Sequence, residues 1–61
     1  MCESNAYILK DGSQTLIMES VGSVRPESDG VFLKSIFGET LIVKARIIEI
    51  DLTGHKIVLE S

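Results

Sequence analysis

Turn signals at short intervals constrain this chain more than any other feature. Asp11-Gly12, Asp29-Gly30 and Thr53-Gly54 each set a glycine behind a turn-forming or strand-ending residue, and the runs between them are rich in Ile, Val and Leu. Runs bounded in this way read as strands joined by hairpins, with Asp11-Gly12 the strongest hairpin signal. Strands are expected at 6–9, 15–18, 21–25, 31–34, 40–52 and 56–60. Gly22 marks a bulge or bend, and Pro26, which has no N–H to donate, belongs at an edge or a strand end.

The longest run changes its apolar face partway. Leu41, Val43 and Ala45 alternate with Lys44 and Arg46, and then Ile48, Ile50 and Leu52 take over the positions that had been polar. A strand of period two cannot switch its buried face without a bulge or a sharp coil. A strand bending from one sheet of a small barrel into the other predicts this pattern. The expected fold class is all-β, an antiparallel barrel of five to six strands with SH3-like or OB-like size.

Sixty-one residues are expected to form one domain, spanning 1–61. A chain of this length buries only about 60% of its unfolded surface, so it is marginal alone. Ile, Val and Leu make up 19 of the 61 residues. Several strands are apolar on both faces, with Ile8 beside Leu9, Leu16 beside Ile17 and Phe32 beside Leu33. A small barrel needs one apolar face per strand, so the surplus predicts a covered outer face and a homodimer. Cys2 is the only cysteine and His55 the only histidine, which excludes an internal disulfide and a His/Cys zinc cluster. A free thiol points to the reducing cytoplasm. No long apolar run or signal-peptide pattern is present, so no membrane association is expected.

The net charge of −3 works against non-specific nucleic-acid binding. Arg25, Lys34, Lys44 and Arg46 form a basic stripe only if their strands are neighbours, and solvated strand faces explain them as well. Tyr7, Phe32 and Phe37 are expected in the core rather than as stacking platforms for bases, and Met18 is expected there too. No nucleophile–base pair, carboxylate dyad or phosphate-binding glycine loop is present, so an enzyme is not expected. His55 belongs to a solvated hairpin tip.

Cys2 has two readings. As a small hydrophobe it belongs in a core. As a donor it stands beside the terminal amine and the first backbone amides, an N/S chelate suited to square-planar Ni(II) or Cu(II). If Met1 is removed, Cys2 supplies amine and thiolate together; if Met1 stays, the chelate ring differs.

The opening Met1-Cys2-Glu3 to Tyr7-Ile8-Leu9, followed by Asp11-Gly12, Met18-Glu19, Val21 and Val24, resembles the CooT-like family. Val31 to Leu33, the Ile36-Phe37-Gly38 break, Ile48-Glu49-Ile50-Asp51 and Ile57-Val58-Leu59 extend the likeness along the chain. The resemblance implies a small cytoplasmic SH3-like barrel that forms homodimers, binds Ni(II) at Cys2 and serves nickel delivery to carbon monoxide dehydrogenase or its maturation factors. Only Cys2 carries over as a ligand, and no histidine-rich tail is present to store further ions. Two other readings stay open: a small RNA-binding barrel, the older description of such sequences, and an interaction module with an incidental cysteine.

Overall fold

A computed structural model describes residues 3–61. They form β1 (Ser4–Lys10), β2 (Ser13–Glu27), β3 (Gly30–Ser35), β4 (Thr40–Val43), β5 (Arg46–Asp51) and β6 (Lys56–Glu60), in one sheet ordered β4-β3-β2-β1-β6-β5. No helix among these residues is long and apolar enough to cross a membrane.

The all-β class and the strand number are those expected from the sequence, and the sheet is barrel-like without full closure. β4 and β5 are its two edges and share no ladder, yet only Lys44 and Ala45 separate them in sequence. The sheet must therefore curl until its edges approach at one end. A tight turn makes the crossing, with the Ala45 N–H donating to the Val43 carbonyl at 2.9 Å. The pairings are antiparallel except one: β1 runs parallel to β6, from Asn5↔Lys56 to Leu9↔Glu60.

The bend lies in a different strand from the one the sequence pattern suggests. The expected strand over 40–52 is broken at Lys44–Ala45, and its halves occupy opposite edges. The strands expected at 15–18 and 21–25 are instead one strand, the 15-residue β2, which pairs first with β1 and then with β3. Register shifts near Ala6/Tyr7 and Val21/Ser23 and a left-handed Ser20 (φ 55°) re-aim β2 between its two partners. The face change read at residues 46–48 has a local cause, a register shift between Ile47 and Glu49 against β6.

Two glycines are fixed by the backbone. Gly12 (φ 80°) follows Asp11 (φ 54°), and two consecutive positive φ angles make the type I′ turn of a two-residue hairpin. At Gly30 (φ 156°) a Cβ would lie 2.2 Å from the Val43 carbonyl oxygen. The start of β3 is thus pressed against the turn that carries the chain to β5.

The inner face holds Ala6, Val21, Val31, Leu33, Ile57 and Leu59, with Met18, Val24 and Ile47 among the side chains packed around them. The aromatics, expected in this core, stand outside it. Tyr7 and Phe32 are half-buried, Phe37 is exposed, and none belongs to the buried cluster. Strand parity explains the placement, because Tyr7 alternates with Ala6 and Phe32 with Leu33. Tyr7 shares its register position with Leu16 on one side and Val58 on the other, so an apolar row crosses the outer face. Val58 is 1% exposed within it, while Leu16 and Ile48 remain open to solvent.

Gly30→Ala is expected to lower stability by at least about 2 kcal/mol, since strain and a backbone clash coincide. Urea unfolding checks this; an unchanged midpoint would mean that β3 and the 43–45 turn are not in contact.

Candidate functional site

Cys2, the expected metal ligand, lies outside the described residues. The structure defines the platform from which β1 begins. Asn5 is held from two sides: its N–H donates to the His55 carbonyl (3.0 Å), and its Oδ1 accepts the Ser20 N–H (3.2 Å). The Ser20 carbonyl in turn accepts the Ile36 N–H at 2.8 Å. The start of β1, the bend of β2 and the β3–β4 loop are thereby joined, and the loop before β6 abuts them.

Ser35 organises the β3–β4 loop. It is the one buried polar side chain among the described residues, at 3% exposure, and its Oγ accepts the N–H groups of Phe37 and Glu39, both at 3.1 Å. Its own N–H donates to the Glu39 carbonyl (2.8 Å), and its carbonyl accepts the Gly38 N–H (3.1 Å). Gly38 turns with φ 91°. Ile36 lies over Gly22, where a Cβ would come within 3.2 Å of the Ile36 Cγ2. Phe37 is left at the tip, 76% exposed.

His55 is exposed and turns the chain with φ 54°, as a hairpin tip should. The loop is shaped from the other side by Asp51, whose Oδ1 accepts the Gly54 N–H at 2.9 Å. That this tip meets the start of β1 follows from the parallel β1–β6 pairing, for which the sequence carries no signal. Among the described residues, no group of three His, Cys, Asp or Glu side chains is placed to hold a metal ion. Glu3, Glu19 and Glu39 are exposed around this end of the molecule.

An open groove of about 640 Å³ lies at the opposite end of β3, lined by residues 26–31 and 44–47. It marks the place where the two sheet edges approach. The basic residues do not form one free stripe. Arg25 pairs with Glu27 (3.0 Å) and stacks over Phe32, 4.9 Å from the ring centre; Arg46 pairs with Glu60 (3.1 Å). Lys44 lines the groove together with Glu27 and Asp29.

Three comparisons bear on this geometry. The family described as CO dehydrogenase accessory protein CooT matches residues 1–60. The crystal structure of a CooT candidate from Carboxydothermus hydrogenoformans superposes with a TM-score of 0.88 at 36% identity, over 97% of this chain and 95% of that one. An uncharacterized protein of Archaeoglobus fulgidus is 42% identical over 44 residues, which is 72% of this chain and 98% of that protein.

Ser35→Ala removes the acceptor for two loop N–H groups and is expected to cost about 1–3 kcal/mol. Amide exchange at Phe37 and Glu39 should quicken more than at Leu33. Uniform acceleration across the sheet would mean instead that Ser35 serves the core alone.

Proposed function

The chain belongs to the CooT family of CO dehydrogenase accessory proteins, and on that premise we propose that it carries Ni(II) on Cys2 to CO dehydrogenase or its maturation factors. The ion is cargo, bound and handed on. Thiolate, terminal amine and backbone amide are donors suited to square-planar Ni(II). The fixed position of Asn5 supports the reading: it stands three residues after Cys2 in the sequence, and its hydrogen bonds to His55 and Ser20 hold the start of β1 in place. The carrier works in the cytoplasm, where a free thiol stays reduced.

The carrier is a homodimer in this reading. Leu16 on β2 and Ile48 on β5 are exposed large apolar side chains of the outer face. A second copy is the simplest cover for such a surface. With two N-termini adjacent across the axis, two Cys2 thiolates share one ion.

Nickel titration of the reduced protein at neutral pH, read by absorbance and molar mass together, tests the proposal. Saturation at one ion per two chains, with a thiolate-to-nickel band absent in Cys2→Ser, is expected. Binding should weaken as pH falls, because the thiol must lose its proton to coordinate. Equal affinity in Cys2→Ser would remove Cys2 from the site. Ile48→Lys is expected to reduce the molar mass to that of one chain; an unchanged dimer would place the interface elsewhere.

A further inference from the structure

The Ile36–Phe37 tip is the most exposed aromatic feature of the described residues, and the fold makes little use of it. Phe37 is 76% exposed and Ile36 45%. The backbone beneath them is nevertheless held tightly: Ser35 contributes four hydrogen bonds within the loop, and the Ile36 N–H is tied to Ser20. A rigid, exposed aromatic is a good interface anchor, because it offers a large apolar area and loses little conformational freedom on binding.

We propose that this tip docks the protein into an apolar pocket, rimmed with Lys or Arg, on the CO dehydrogenase it serves; the identity of the partner rests on the function proposed above. Location supports the assignment. Ile36 is bonded to Ser20 and Ser20 to Asn5, so the tip stands at the end of the molecule where β1 begins. A partner seated there is brought to the end where β1 begins, the strand that follows Cys2 in the sequence.

Charge argues for a different protein rather than a second copy. Glu39 follows the tip, Glu19 precedes the Ser20 that holds it, and Glu3 precedes the Ser4 that pairs with Val21. All three are exposed, and Lys34 is the one cation within three residues of the tip. Two copies meeting here would set these carboxylates against one another, whereas a basic rim would be attracted and steered to them. A second copy has the separate exposed apolar set on β2 and β5.

Binding to purified, metal-free CO dehydrogenase, measured by surface plasmon resonance in low and in moderate salt, tests the docking site. Phe37→Ala is expected to weaken binding at least about tenfold, with its nickel titration and molar mass unchanged. Glu39→Lys should slow association and flatten its salt dependence. Cys2→Ser should dock as the parent does; a parent that docks through Phe37 yet binds no nickel would overturn the carrier function and leave the docking site standing. Docking by Phe37→Ala equal to the parent, or no docking by the parent, would refute the proposal. So would a Phe37→Ala protein whose mass falls to one chain, since the tip would then be a contact between copies.

Discussion

The parallel pairing of β1 with β6 is the contact on which the rest of the structure depends. It joins segments about fifty residues apart and sets β1 in the interior of the sheet, between β2 and β6. Ala6 and Ile57 share a register position and are both buried, as Ile8 is paired with the buried Leu59. The other four pairings join neighbours along the chain and need only a short turn or loop, apart from the crossing between the edges. Without β1 against β6, the β1–β2–β3–β4 meander and the β5–β6 hairpin would be joined only through the Lys44–Ala45 turn and the approach of β3 to β5. A parallel pair needs a long connection, and here the remaining strands supply it.

That pairing also assembles the end of the molecule on which function is proposed. Asn5 is the hinge of the arrangement, receiving the Ser20 N–H on its side chain and reaching His55 through its backbone. Ser20 adopts a left-handed conformation there, which costs energy for a non-glycine residue. The bend it creates lets β2 serve β1 and β3 in turn, and brings Ile36 over Gly22. The platform is therefore a by-product of the geometry that closes the core. Nickel carriage and docking, as proposed, both exploit an end that the fold holds rigid for its own reasons.

How much of this was legible in the sequence varied with the range of the interaction. The Asp11-Gly12 hairpin was legible, because two consecutive left-handed residues are a local demand. The break at Lys44–Ala45 was not: six residues of alternating Leu, Val and Lys followed by Ile-rich alternation look the same whether the strand bends or stops. Where it stops, Gly30 lies close against the Val43 carbonyl, and those residues are remote in sequence. Phe37 was misplaced for a related reason. An isolated phenylalanine suits a core on composition alone, whereas the loop folded around Ser35 leaves it at an exposed tip. Cys2 was singled out by chemistry at once, though its surroundings lie outside the described residues.

The sequence by itself determined the all-β class and the turns at Asp11-Gly12, Asp29-Gly30 and Thr53-Gly54, because each depends on neighbours a few residues apart. It also carried the family, through a Met1-Cys2 start combined with a chain-long pattern. The tertiary structure decided which strand bends, that β1 and β6 run parallel, that the sheet curls with its edges joined by two residues, and that His55, Ser20 and Ile36 gather where β1 begins. Those outcomes depend on excluded volume and on backbone hydrogen bonds between distant segments, and such terms have no periodicity to betray them in a linear reading.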